Sequence, residues 1–292
     1  MIYSVRHRSQ YSYRPAVDLS HHVLHLTPRS LPYQRVIESH IWTTPMTRDL
    51  VFGVDYFGNG ISFLSLTESH NELIVELEAR VEVSPRASVV PGQTPPWEAV
   101  RDALCNAEPA VDPEIVEFIS ESPLAPFSDE VAAYAAPSFP AGRTLLDAVL
   151  DLTHRIHEDF AYDPNATGVT TPLAEVLERH RGVCQDFAHM EVAALRSMGL
   201  SARYVSGYVR TYGPAGSPRL AGADGSHAWV SVFCPGAGWI DVDPTNDLVV
   251  GEDHIVLAWG RDYDDISPIR GVILGGGEHR PAVGVDVTPL EE

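Results

Sequence analysis

No lysine occurs in the sequence: all twenty basic side chains are arginine, against forty Asp and Glu. A coding preference for Arg, Ala and Pro accounts for the bias, and no reaction of this protein can draw on a lysine amine of its own. A net charge of −20 argues against nucleic acid or any other polyanion as partner, since phosphate binding needs clustered cations. Cysteine is scarce as well. Cys105, Cys184 and Cys234 are an odd set without framework spacing, which argues against a disulfide scaffold. No run approaches the roughly eighteen apolar residues of a membrane span, and MIYSVRHRSQYSY at the start has no apolar stretch of the signal-peptide kind. The expectation is a soluble cytoplasmic protein with reduced thiols, no membrane contact and no cofactor.

What is present is ample core material. At 292 residues and 44% hydrophobic content the chain is long enough for about two domains. Residues 1–84 read as a β-rich domain. In LIVELEARVEV, Leu73, Val75, Leu77, Ala79, Val81 and Val83 alternate with mostly charged residues, the period of a half-buried strand. VDYFGNGISFLSL sets Asn59-Gly60 between two apolar runs, a two-residue hairpin signal. Residues 85–143 begin with Pro85, Pro91, Pro95 and Pro96 and read as a proline-rich linker and helical connection.

Residues 144–250 change character. TLLDAVLDLTHRIHEDF spaces Leu145, Val149, Leu152 and Ile156 helically behind Thr144 as N-cap. TPLAEVLERH predicts a second helix with Pro172 at its first position. GVCQDFAHMEVAALRSMGL predicts a third, with an apolar stripe at Phe187, Ala188, Val192 and Leu195 and Gly199 at its end. ARYVSGYV, HAWVSVF and WIDVDP then read as strands, separated by Gly/Pro segments around 213–225 and 235–238. Residues 251–292 form a C-terminal extension whose AVGVDV is a further strand, returning to one of the sheets. Helices followed by consecutive strands give an α+β core behind an antiparallel β domain.

Cys184 stands at the opening of its helix, where unpaired backbone N–H groups and the helix dipole favour an anion. Such a position lowers a thiol pKa and offers donors to an oxyanion. A thiolate nucleophile also needs a base, and the base an orienting acceptor. GSHAWVSVF supplies His227, with Trp229 and Ser231 on the same strand face, and GWIDVDPTND supplies Asp241 and Asp243 on one face of the next strand. Either carboxylate could orient the imidazole on this reading.

GVCQDFAH, SHAWVSVF and GWIDVDPTN together resemble the signature segments of the transglutaminase-like superfamily of papain-type thiol enzymes. Residues 1–84, including DYFGN, are similar to the N-terminal region of its bacterial members, and Arg261-Asp262-Tyr263 to their C-terminal segment. The resemblance implies a papain-like core with Cys184 as nucleophile, His227 as base and then acid, and Asp243, directly before the Pro-Thr turn, as orienter. Gln185 and Tyr162 are candidates for a further oxyanion donor, and Trp229 for a shield beside the base. Gln185 stands where the animal transglutaminases carry tryptophan, and no EF-hand-type loop is present. Both departures argue against calcium-dependent cross-linking.

The implied reaction is acyl transfer from a peptide or protein amide. Water as acceptor makes an amidase or peptidase, the reading preferred here; an amine makes a transglutaminase; and a non-catalytic binding module on the same fold is the alternative of another class. His21, His22 and His25 lack the ligand set of a zinc signature and are expected as half-exposed strand residues. Asp186 is expected to complement the helix dipole. Cys105 and Cys234 are expected to be free thiols; Asp262, Asp264 and Asp265 a solvated face; and Arg261 a structural anchor to a carboxylate.

Overall fold

A computed structural model describes residues 1–47, 49–106, 112–211, 225–277 and 281–290. The first five strands are β1 (Ile2–Leu24), β2 (Gln34–Thr44), β3 (Leu50–Val54), β4 (Gly60–Leu66) and β5 (His70–Val83). They pair antiparallel in the order β2-β5-β1-β4-β3. The alternation in β5 is decisive. Leu73, Val75, Leu77, Val81 and Val83 are fully buried and Ala79 nearly so, and each larger side chain contributes about 1.5–3 kcal/mol relative to exposure. The β3–β4 connection departs from expectation. Val54 pairs with Gly60, so the turn runs over residues 55–59 with Gly58 at φ 74°, and Asn59-Gly60 is not its tip. Asn59 is instead buried, donating through Nδ2 to Asp55.

Five α-helices lead toward the second sheet: α1 (Trp97–Cys105), α2 (Pro113–Val116), α3 (Asp129–Ala135), α4 (Leu145–Asp159) and, after the short β6 (Ala161–Tyr162), α5 (Leu173–Arg179). Thr144 precedes α4 as expected, whereas Pro172 is the N-cap of α5 and not its first residue, its extended ψ of 141° lying outside the helix. Then come β7 (Arg181–Gly182), paired parallel with β6, and α6 (Cys184–Ser197), followed by Gly199 at φ 76°. The expected stripe on α6 is only part of what is buried: His189, Glu191 and Arg196 are buried too. Arg196 reaches main-chain oxygens of Phe118 and Ala202 through Nε and of Arg261 through Nη2, which is how a central helix hides a cation.

The core sheet comprises β8 (Ala202–Val209), β9 (Gly225–Cys234), β10 (Gly238–Asp243), β11 (Leu248–Val249) and β12 (His254–Gly260), in the order β11-β10-β9-β8-β12. Of the segment expected as a loop around 213–225, all but Gly225 lies outside the described residues. The last strands, β13 (Ile269–Gly275) and β14 (Pro281–Leu290), both pair with β1 and so join the first sheet. No helix among the described residues is long and apolar enough to cross a membrane.

Candidate active site

Three chain segments converge at one end of the core sheet. The first is the start of α6. Val183 caps it in extended backbone, and its carbonyl accepts from the amides of Asp186 (2.9 Å) and Phe187 (3.1 Å). Asp186 folds back to accept from the Val183 amide (2.8 Å) and Thr167 Oγ1 (2.5 Å). Gly182 makes this possible, since a Cβ there would lie 2.6 Å from Asp186 Oδ2. Burial pushes the Asp186 carboxyl up, with those two hydrogen bonds opposing. The tight turn leaves Cys184 half-buried as a free thiol at the helix's first position.

The second segment is β9, which carries His227 into a buried position. Its Nε2 lies 2.7 Å from Asp243 Oδ2, and the Cys184 thiol is close enough to act on the ring's charge. With Nε2 committed to the carboxylate, Nδ1 is the nitrogen left for the sulfur. Burial alone would depress the imidazole, but Asp243 and Cys184 outweigh it and raise His227 to about 10.

The third is the end of β10 and its Pro-Thr turn. Asp243 is fully buried. Its Oδ1 accepts the main-chain amides of Thr245 (2.9 Å) and Asn246 (3.1 Å), an Asx-type turn that explains why the aspartate directly precedes Pro-Thr-Asn. Oδ2 accepts from His227, from Asn246 Nδ2 (2.7 Å) and from His254 Nε2 (3.0 Å). Burial opposes the charge, yet the two imidazoles hold the Asp243 carboxyl far below the usual carboxylate range. Asp241, the rival carboxylate, pairs elsewhere: Oδ2 accepts Trp229 Nε1 (3.1 Å) and lies 2.7 Å from Arg86 Nη1.

The remaining candidates divide. Trp229 is fully buried, its ring 6.1 Å from that of His227 and 5.2 Å edge-on from His254, so it floors both imidazoles. Tyr162 is half-exposed; burial first and the nearby Cys184 second raise its phenol. Gln185 turns its amide to the Val169 carbonyl (3.1 Å). Asn246 and His254 were missed in the sequence. Asn246 lay inside the quoted DPTN segment, whereas His254 opens a run legible only as strand. His227, Asp243 and His254 bring metal-ligand atoms within 4.8 Å of one another, but each imidazole Nε2 already has the carboxylate as partner. A cavity of about 490 Å³ lined by Phe118, Arg203, Trp239 and Trp259 lies away from these groups.

Other expectations need correction. Of His21, His22 and His25, only His21 is an exposed strand histidine. His22 and His25 are buried, and His25, just past β1, meets the Ser267 carbonyl and Asp55. Of the acidic cluster, Asp264 is exposed as expected, but Asp262 and Asp265 are structural. Asp262 is buried and accepts the Leu124 and Asp264 amides, while Asp265 forms a two-pronged pair with Arg261. All three cysteines are free, Cys105 exposed and Cys234 buried.

A helix-borne thiol, an imidazole and a carboxylate set against an antiparallel sheet define a papain-like arrangement, and the chain belongs to the transglutaminase-like superfamily. It matches that superfamily over residues 133–244 and the bacterial transglutaminase-like N-terminal region over residues 3–82. It is 39% identical over 297 residues to an uncharacterized protein of Mycobacterium tuberculosis, spanning 99% of this chain and 93% of the relative. A shorter stretch of 92 residues is 38% identical to a protein-glutamine gamma-glutamyltransferase of Pseudomonas aeruginosa, 30% of this chain and 14% of that one. In fold it is similar to a candidate cysteine protease from Cytophaga hutchinsonii, with a TM-score of 0.79 and 20% identity over 100% of this chain and 91% of the other.

Proposed function

We propose that the protein is a thiol-dependent amide hydrolase, an amidase or peptidase, working through Cys184, His227 and Asp243. The contact that carries this reading is the 2.7 Å bond between His227 Nε2 and Asp243 Oδ2, with the Cys184 thiol beside the same imidazole. Cys184 Sγ attacks the amide carbonyl as the thiolate, its proton already held on His227. The first-turn amides of Cys184 and Gln185 are the donors available to the resulting oxyanion. The C–N bond then breaks as His227 protonates the departing amine, leaving a thioester. Water, deprotonated by His227, then attacks the thioester; the C–S bond breaks, the carboxylic acid leaves, and Cys184 is restored with its proton on His227. Asp243 fixes the imidazole with Nε2 protonated throughout.

The local likeness to a protein-glutamine gamma-glutamyltransferase favours a second reading, in which a primary amine replaces water. Intact mass separates the two. A glutamine peptide incubated with a primary amine gains the amine under transfer, and shows +1 Da deamidation or backbone cleavage under hydrolysis. The test of the shared nucleophile is iodoacetamide alkylation followed by peptide mass spectrometry. Cys184 should react faster at pH 6 than Cys105 and Cys234, and His227→Ala should abolish the difference. Equal rates for all three thiols in the wild type would refute the proposal.

A further inference from the structure

We propose that His254 is a positioning residue that extends the chain of contacts to a fourth member, Cys184–His227–Asp243–His254; this rests on the reading of Cys184 and His227 given above. His254 opens β12, and strands β9 and β8 separate β12 from the β10 end that carries Asp243. Its contact with Asp243 is therefore a reach across the end of the sheet and not a by-product of neighbouring strands. It places Nε2 3.0 Å from Oδ2, the same oxygen that His227 Nε2 meets at 2.7 Å.

The division of labour on Asp243 is informative. Oδ1 is held by backbone amides of its own turn, which fix one end of the carboxylate. Oδ2 is the oxygen that faces His227, and it is held from the turn by Asn246 Nδ2 and from across the sheet by His254. Asn246 Nδ2 also lies 3.3 Å from His227 Nε2, so its hold is divided. His254 is the donor on Oδ2 that touches none of the other partners by hydrogen bond.

The state of the ring fits this role. His254 is buried, and Nδ1 has no hydrogen-bond partner. A proton on Nδ1 would be stranded and Nε2 would confront the carboxylate with a lone pair, so the proton sits on Nε2 and is donated to Oδ2. Leaving a ring nitrogen buried and unpaired is costly. An apolar residue would fill the space against Trp229, which meets the ring edge-on at 5.2 Å, without that cost. What an apolar residue lacks is the donor. By donating, His254 fixes the position of Oδ2 and stabilises the carboxylate as an anion, so the proton shared with His227 stays on the imidazole.

The test compares alkylation of Cys184 at pH 6 in wild type, His227→Ala, His254→Phe and His254→Gln, all as full-length folded protein. His254→Phe should fall about tenfold, the scale of a lost orienting contact one shell out. His254→Gln, whose amide N–H reaches about as far as Nε2, should recover most of that rate. A space-filling role would lower the melting temperature of both variants and leave the rate of the folded protein unchanged. A wild-type rate in His254→Phe, with the rate lost in His227→Ala, overturns the role of His254 and leaves the nucleophile standing. A wild-type rate in His227→Ala overturns the functional reading itself. Should His254→Phe fail to fold, histidine ¹⁵N spectra of the wild type decide the matter: an Nε2-protonated His254 is expected, and an Nδ1-protonated one overturns the proposal.

Discussion

Two buried carboxylates of this molecule are driven in opposite directions, and partners decide which. Asp243 is surrounded by donors and stays charged. Asp243→Asn would keep the shape but offer an N–H or a weaker acceptor to His227. Turnover should fall by about 10³–10⁴ with KM nearly unchanged. A proportional rise in KM would instead mean that Asp243 serves binding. Glu191, fully buried on α6, has only Thr153 Oγ1 at 2.7 Å, and its Oε2 has no partner. Burial pushes its carboxyl up to about 8, with the Thr153 bond opposing. The folded protein thus keeps a proton that the unfolded chain releases above its ordinary value, so this group's contribution to stability falls as pH rises toward 8. Glu191→Gln should remove that slope, gaining stability at pH 8 relative to pH 5 by on the order of 1.4 kcal/mol per unit of raised pKa. Urea melts at the two pH values measure it. An equal difference at both would show that Glu191 is ionised in the fold.

Among the elements, strands with one wet face were the most legible. From Val75 to Val83 in β5 the period of two maps onto burial residue by residue, and the cysteine-bearing helix starts where its sequence says, because Gly182 and Asp186 encode a tight turn. The histidine and the two aspartates were visible as residues, but the choice between Asp241 and Asp243 depended on which of them reaches His227, and Asp241 is taken by Trp229 and Arg86. The resemblance supplied that choice where strand periodicity could not. His254 was not legible at all, since the contact that defines it crosses two strands. The buried faces of α6 were hidden for a related reason: polar residues such as Arg196 are paired with distant carbonyls that no local pattern reveals. Gly207 on β8 shows how closely these elements fit. A Cβ there would lie 2.4 Å from the Trp229 ring and 2.1 Å from the Ile255 carbonyl. Gly207→Ala should therefore destabilise by about 2–4 kcal/mol and disturb the floor under both imidazoles, seen as slower Cys184 alkylation alongside a lower melting temperature. A variant as stable as wild type would show that the strand can yield at this point.

At the scale of the molecule, two side-chain amides join the sheets. β12 is an edge of the core sheet, and its open main-chain groups are met by Gln34 and Asn59 from the first sheet. Gln34 Nε2 and Oε1 each lie 2.8 Å from the oxygen and nitrogen of Val256, and Asn59 makes the same pair with Trp259 at 2.9 Å. These amides imitate a further strand and close the edge. Gln34→Ala would strand the Val256 N–H, while the Val256 carbonyl keeps the Arg29 amide (3.2 Å); the loss should cost about 1–3 kcal/mol and lower the melting temperature by roughly 5 °C. Calorimetry of the wild type should show one transition; two resolved transitions would mean that the sheets unfold independently. The first sheet has a further property. Ile2 pairs with Leu290, and β14 runs beside β1 as far as Tyr11 and Pro281. The stretch from β1 to β14 is thus closed on itself by strand pairing. On the ribosome β14 follows β1 only after every strand of the core sheet, so the sheet that holds Gln34 and Asn59 in place stays one strand short until the whole core has been made.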